Sequence, residues 1–518
     1  MKRWVALILG ASLLAAACQS GSSGDATSRT SARDARATVP TAPAGAPPEV
    51  AKAQRDWPLP GHDYSNSRAT TTSRITKANV GSLKVAWRAQ PQGLGSLTTS
   101  PLVLGDTVYL EDGAGAVFAL DRATGDVRWK SKSTGFNIGP FGVAVGAGRV
   151  YAVRGSDGVV ALDERTGEQV WERTLSPDKT TGIDIQPQVF GGQVFVSTVP
   201  ISVGGIYIGG DHGVVYALDA RTGKVHWTFD TVDSADQWGN PAVNSGGGAW
   251  YPLAIDAKRG VTYAGIANPA PFPGTPEFPN GSSRPGPNLY TDSIVALDLA
   301  TGKLRWFQQV TQHDIFDRDQ VHAMVAHLAD GTDVVVSAGK SGVVLGIEPD
   351  TGKVLWRTPV GHHENDTLTT LAGPTEVAPG TYGGVLTPPA NIDGTVYLPV
   401  VNAPVTLKPN ATAYFGADVS TGNGEIDAVD ARTGHVQWTR TLPGNPLGGT
   451  TVVNDLVLTA LVDGTMVALD RRNGHVVWKY QAGGSINGWM SVAGDTIVVP
   501  VGGTKPPSVL ALSLPGSG

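Results

Sequence analysis

The sequence predicts an all-β fold, an eight-bladed β-propeller closed by pairing a strand near the N-terminus with one at the C-terminus. Three observations lead there. A Trp-bearing phrase recurs seven times at constant spacing, and an eighth copy is split between the two ends of the chain. The composition, 67 glycines and 16% charged residues in 518, suits many short strands joined by tight turns.

The first copy of the phrase runs Val117-Phe118-Ala119-Leu120-Asp121-Arg122-Ala123-Thr124-Gly125-Asp126-Val127-Arg128-Trp129. Its fixed points are Asp121, Thr124-Gly125 and Trp129. The same register returns at Asp163, Gly167 and Trp171; Asp219, Gly223 and Trp227; Asp298, Gly302 and Trp306; Glu348, Gly352 and Trp356; Asp430, Gly434 and Trp438; and Asp470, Gly474 and Trp478. An apolar strand ends at the acid, which can bond to the turn backbone. The glycine suits a positive φ in that turn. The next strand delivers a Trp able to fill the space between neighbouring sheets, so these indoles are structural. A second hairpin signal upstream, such as Gly105-Asp106-Thr107-Val108-Tyr109, completes a four-stranded blade. Ser508-Val509-Leu510-Ala511-Leu512 has the apolar strand without its Trp, and Asn79 to Trp87 has the Trp strand without its partner. Pairing the two closes a ring and removes exposed edges; an open solenoid would leave the split copy unexplained.

Ahead of the repeats, Lys2 and Arg3 precede an almost wholly apolar stretch, Trp4 to Ala17, that is shorter than a bilayer requires. Leu14-Ala15-Ala16-Ala17-Cys18 resembles a bacterial lipobox. Residues 1–18 are expected to be a lipoprotein signal peptide with Cys18 lipidated, an ordinary cleaved signal being the alternative. Residues 19–54, rich in Ser, Thr, Ala and Pro, are expected to be a disordered tether, with the propeller spanning 55–518. The chain would then be exported and lipid-anchored to a bacterial membrane, on its periplasmic or cell-surface side. A net charge of −6 without a basic run gives no footprint for nucleic acid. Cys18 is the sole cysteine, which excludes an intrachain disulfide, a c-type haem and any Cys-rich metal site within these residues.

The phrase Ala-x-Asp-x-x-Thr-Gly-x-x-x-Trp resembles the repeat of the quinoprotein dehydrogenases, which use pyrroloquinoline quinone (PQQ). A similar repeat occurs in a bacterial outer-membrane assembly lipoprotein that is a scaffold, so segments outside the repeat carry the functional reading. From about residue 56 onward these segments resemble the quinoprotein alcohol dehydrogenases, in family order. Asp56-Trp57-Pro58 with Gly61 to Arg68 resembles the opening segment. Gly246-Gly247-Gly248-Ala249-Trp250 resembles the segment whose Trp floors the quinone, and Ala267-Asn268-Pro269 one whose Asn binds the metal. His313-Asp314-Ile315-Phe316-Asp317-Arg318-Asp319 resembles the segment of the catalytic Asp, with Phe316 in place of a Trp. Ala338-Gly339-Lys340-Ser341-Gly342 resembles the stretch that offers a basic side chain to the quinone.

The resemblance implies a PQQ-dependent dehydrogenase acting on a small alcohol or sugar and passing electrons to an acceptor the sequence does not name. Asp317 would be the catalytic base. Trp250 and Lys340 would bind cofactor. Asn268, Asp317 and Asp319 would be oxygen ligands for Ca²⁺, or less readily for a lanthanide. The sequence departs from the family pattern at three places. The lone Cys18 rules out the family's adjacent Cys pair. Ile208 stands, by ungapped count, where the metal-binding Glu belongs, and Phe141 stands where an Arg is expected. A non-catalytic propeller lipoprotein acting as a binding or assembly scaffold is the alternative function.

Overall fold

In each repeat the acid, the glycine and the indole interlock with a neighbouring repeat. Asp121 Oδ1 accepts hydrogen bonds from the Ala123 and Thr124 amides at 2.9 and 3.0 Å. The turn so held places Gly125 at φ 78°. A steric demand is added to the conformational one, because a β-carbon on Gly125 would lie 2.7 Å from the Trp87 ring. The indole of one blade thus rests on the glycine of the next, and its Nε1 donates to a carbonyl there. Trp87 reaches Arg122 (2.8 Å), Trp129 reaches Glu164 (3.0 Å), Trp306 reaches Pro349 (2.8 Å) and Trp356 reaches Ala431 (3.0 Å). Each such indole removes enough apolar surface from water to contribute roughly 4 kcal/mol.

A computed structural model describes residues 41–516, apart from 138, 156, 178–179, 202–210 and 413–417. Its described residues contain eight sheets of four or five strands. Blade 1 consists of Leu102–Leu104, Thr107–Glu111, Val117–Asp121 and Val127–Lys130, a simple antiparallel meander. Blades 2 to 7 repeat it, with first strands starting at Ala144, Gln188, Ala254, His322, Ala390 and Thr451. Blade 8 combines Ser491–Ala493, Thr496–Val501 and Ser508–Ser513 with Lys84–Ala89, in which Lys84 pairs with Ser513 and Ala89 with Val509. The ring is therefore closed by the predicted split copy. First strands are buried and fourth strands are largely exposed, as LVL against VRWK in blade 1 illustrates.

The opening segment plugs the hub. The Trp57 amide donates to the Val103 carbonyl, and the carbonyls of Tyr64, Ser65, Ser67 and Arg68 accept from Ile255, Val325, Asn391 and Val452, tying blades 1, 4, 5, 6 and 7 together. The buried Arg68 guanidinium satisfies the carbonyls of Pro60, Thr450 and Met490, each at 2.9 Å.

The tether expected over 19–54 ends earlier than its composition implies. Pro48–Lys52 forms a short helix. Val50 is fully buried, and the Glu49 carboxylate accepts from the Ala147 and Gly148 amides of blade 2 at 3.0 and 2.8 Å. One buried Val and one bidentate acid suffice to dock a segment too short to show periodicity. Residues 1–40, with the lipobox and Cys18, lie outside the described residues, as does Ile208.

Candidate active site

Tyr251 and Trp489 form an aromatic layer inside the hub, their ring centroids 5.2 Å apart. Both line a 30 Å³ void that borders the 57–70 plug, and both line a cavity of about 570 Å³ built from the connections between blades. That volume lies within the range of small-molecule sites. Trp250, Asn268, Asp317, Asp319 and Lys340 all line this cavity. They come from the blade 3–4 connection, a loop within blade 4, the blade 4–5 connection and a loop within blade 5.

Local chemistry fixes each of these loops. A two-residue ladder pairs Ser245 with Ala270 and Gly246 with Pro269, so the Trp250 and Asn268 segments run side by side. Gly246 has φ 146°, and a β-carbon there would lie 2.7 Å from Pro269 Cα. The Asp314 carboxylate staples the next loop from within, accepting the Phe316 amide at 2.7 Å and the Arg318 amide at 2.6 Å. Arg284, fully buried, holds the Asp314 carbonyl at 2.5 Å. Asp317 then sits at φ 69°, a left-handed conformation that costs a non-glycine residue about 1–2 kcal/mol. Phe316 packs with Ile315, Leu371, Val377, Val405 and Leu407, anchoring the loop from beneath.

The charged groups form one buried triad. Lys340 Nζ lies 2.9 Å from Asp317 Oδ1 and 2.6 Å from Asp319 Oδ2, with side-chain exposures of 8%, 5% and 4%. It also stands 5.3 Å from the centre of the Trp250 ring. The other Asp319 oxygen accepts the Asn268 amide at 2.6 Å, so this carboxylate orients both the ammonium and the Asn268 backbone. Burial pushes the Asp317 carboxyl up to about 8; Asp319 adds to the rise and Lys340 opposes it. Burial alone would push the Lys340 ammonium down, but the two carboxylates hold it above its ordinary value.

Residues 57–139 and 174–359 match the family profile described as glucose/ethanol/alcohol dehydrogenase, beta-propeller domain. The chain belongs to this family. Residues 417–513 match a second profile, outer membrane protein assembly factor BamB. The chain is 27% identical over 405 residues to the quinohemoprotein alcohol dehydrogenase of Comamonas testosteroni, covering 68% of this chain and 55% of that protein. It spans about half the length of the curated relatives it matches. Superposed on the crystal structure of the Comamonas testosteroni enzyme, it gives a TM-score of 0.77 at 24% identity, over 90% of this chain and 81% of that one. A europium-containing methanol dehydrogenase gives 0.72 at 21% identity, over 89% and 98%. These superpositions establish the same propeller fold.

As a member of this dehydrogenase family, the chain has a cavity with features its motifs do not announce. Asp184, from the blade 2–3 connection, lines it, and burial pushes this carboxyl well up. Trp489 and Asn137 line it too, and the Trp489 Nε1 and Asn137 Oδ1 atoms are buried without hydrogen-bond partners. A signal for Trp489 was present, since this Trp, like Trp250, falls outside the eight-residue register of the structural indoles. Asp184 is the one acid of an otherwise uncharged Gly182-Ile183-Asp184-Ile185-Gln186 segment between two repeats. Phe141 is 2% exposed and lines the cavity, so no guanidinium enters at that position. Among the described residues no group of three or more His, Cys, Asp and Glu side chains is arranged to hold a metal ion. A cation here would rest on Asn268, Asp317 and oxygens of a second ligand.

Proposed function

We propose that this protein is a PQQ-dependent dehydrogenase that oxidises an alcohol or sugar. One observation carries the reading: five residues spread over ninety positions of sequence line a single cavity floored by an indole. The donor set suits the cofactor. Trp250 offers an aromatic face, Trp489 an unused N–H, and Asn268 with Asp317 hard oxygens for a cation such as Ca²⁺. When bound, the quinone supplies a two-electron acceptor, and the cation supplies Lewis-acid polarisation of its carbonyl.

The chain's own residues do the rest. Once ionised, Asp317 takes the hydroxyl proton of the substrate; its carboxyl, raised to about 8, is a stronger base than an ordinary carboxylate, and turnover rises as pH climbs toward that value. Lys340 sets a fixed positive charge beside the position where negative charge develops. Asp319 positions Lys340 and Asn268 through its two oxygens. The aromatic layer beneath the cavity, with the plug behind it, limits water entry from the far end of the hub.

The match of residues 417–513 to an assembly factor favours a second reading, a propeller that serves as a binding or assembly scaffold. One experiment separates the two. PQQ and Ca²⁺ are added to purified protein, and quinone absorbance and dye reduction with alcohols and sugars are recorded. No binding at micromolar PQQ ends the enzyme reading. Cys18 is carried forward as the proposed lipid attachment site, which would hold the propeller on the exported side of a bacterial membrane; mass spectrometry of the membrane fraction tests it.

A further inference from the structure

The cavity holds an acid that the proposed reaction does not use. Asp184 is 9% exposed and its Oδ1 is buried without a hydrogen-bond partner. Its Oδ2 is wedged against Gly139, where φ is 54° and an added β-carbon would lie 2.6 Å away. The carboxyl is closely packed in the cavity wall, and among the described residues one of its oxygens has no partner.

The charges around it decide what that ligand group can be. Among the described lining residues the charged ones are Asp184, Asp317, Asp319 and Lys340, and the single ammonium is already bonded to two carboxylates. PQQ is itself a polycarboxylate. An ionised Asp184 would repel it, and no guanidinium is present to offset that repulsion. A protonated Asp184 would instead supply a donor in place of a negative charge, as two carboxyl groups sharing a proton commonly do. We propose that Asp184 receives the cofactor as a neutral carboxylic acid, donating a hydrogen bond to one of the quinone's carboxylates; this rests on the quinone reading above. Burial favours the neutral form most, Asp319 favours it further, and Lys340, the one cation facing it, opposes both.

The consequence is linkage between cofactor and proton. Above the pH at which Asp184 ionises in the free protein, binding must take up a proton, and affinity falls by about tenfold per pH unit. The test measures PQQ affinity from pH 5 to 9 at fixed Ca²⁺ by quenching of tryptophan fluorescence. Wild type, Asp184→Asn and Asp184→Ala are compared, with folding checked by circular dichroism. Asn keeps a donor and cannot ionise, so Asp184→Asn should match wild type at pH 5 and fall less steeply by one tenfold step per unit at high pH. Asp184→Ala should bind at least about tenfold more weakly at pH 5. If Asn is as damaging as Ala at pH 5, the carboxylate itself is needed, as for a cation ligand, and the proposal is overturned. Equal binding by all three proteins also overturns it. Calorimetry of wild type in buffers of different ionisation enthalpy reads proton uptake without any variant, and no uptake at a pH where wild-type affinity falls more steeply than that of Asp184→Asn refutes it. Failure of wild type to bind PQQ at every pH is a different result: it removes the quinone reading on which the proposal stands.

Discussion

Replacing Lys340 with Met tests the triad at its centre. The ammonium lies 2.9 and 2.6 Å from two carboxylate oxygens, all three groups nearly buried. At an effective dielectric constant near 20 each contact is worth about 6 kcal/mol of Coulomb energy, offset by several kcal/mol for taking the ammonium out of water. Methionine fills the volume and leaves Asp317 and Asp319 facing each other. With the carboxyls ionised, above pH 10, the expected cost is about 3–5 kcal/mol, the usual penalty for stripping a buried charge of its partner. That energy corresponds to roughly 2–4 pKa units on the Asp317 carboxyl. Asp317, already raised to about 8, would move above 10, so at pH 8 it would already carry a proton and could not take the substrate's. Turnover of the PQQ-loaded protein at pH 8 should fall by about a hundredfold or more.

The pH dependence has a definite sign. A carboxyl whose folded value is raised holds more protons folded than unfolded, so folding stability falls as pH climbs from about 4 to the folded value. In Lys340→Met this window widens. Between pH 4 and 8 the Asp317 carboxyl loses stability with the same slope in both proteins, so the gap should be small at pH 7 and reach its full size only above pH 10. Denaturant melts at the two pH values, with no cofactor present, measure it directly. A gap that is equal at both, or a variant as stable as wild type above pH 10, would refute the claim that the ammonium neutralises two buried carboxylates.

Three further expectations follow from the same geometry. Asp317→Asn should leave the fold intact, with a cooperative melt, while removing turnover, read by dye reduction; turnover within a factor of a few would take Asp317 out of the chemistry. Gly125→Ala sets a β-carbon at φ 78° and 2.7 Å from the Trp87 ring, at the seam where blade 8 meets blade 1, and should cost about 2–4 kcal/mol in a denaturant melt. Deleting residues 508–518 removes a strand paired on both edges whose Val509, Leu510, Ala511 and Leu512 are fully buried, and the shortened chain should fail to give a cooperative melt.

The propeller was legible because its determinants are local and repeated. Acid, glycine and Trp sit within nine residues, and seven copies made the register unmistakable. That each glycine seats the Trp of the preceding blade was not legible, since the contact crosses a blade boundary. The site was legible where motifs carried it: Trp250, Asn268, Asp317, Asp319 and Lys340 line one cavity. What those motifs could not convey is who holds whom. Both Asp319 oxygens are occupied, one by the Asn268 amide and one by Lys340, an arrangement set by how blades 4 and 5 abut. Asp184 escaped because an isolated acid between repeats resembles any solvated loop carboxylate until its burial is known. The Pro48–Lys52 helix escaped because one buried Val gives no period to detect.

The energetics of the hub bear on the choice between enzyme and scaffold. A propeller needs a filled axis, and this one already has an efficient filler in the plug and the Tyr251–Trp489 layer. Stability alone would be served best by apolar side chains beyond that layer, since replacing a buried ion pair by packed hydrophobic groups is commonly neutral or stabilising. The hub instead retains three acids and a lysine beside an open volume, a left-handed Asp317, and polar atoms on Asp184, Asn137 and Trp489 with nothing to bond. Each of these destabilises the empty protein by about 1–3 kcal/mol. A ligand that bonds the orphaned atoms would recover that free energy as affinity, so loading the cavity should raise the melting midpoint with the logarithm of the ligand's concentration over its Kd. A scaffold that binds its partner on an outer face predicts no such rise with PQQ and Ca²⁺. It also predicts that filling the cavity by Asp184→Leu, away from the outer faces, would stabilise the protein and leave partner binding intact.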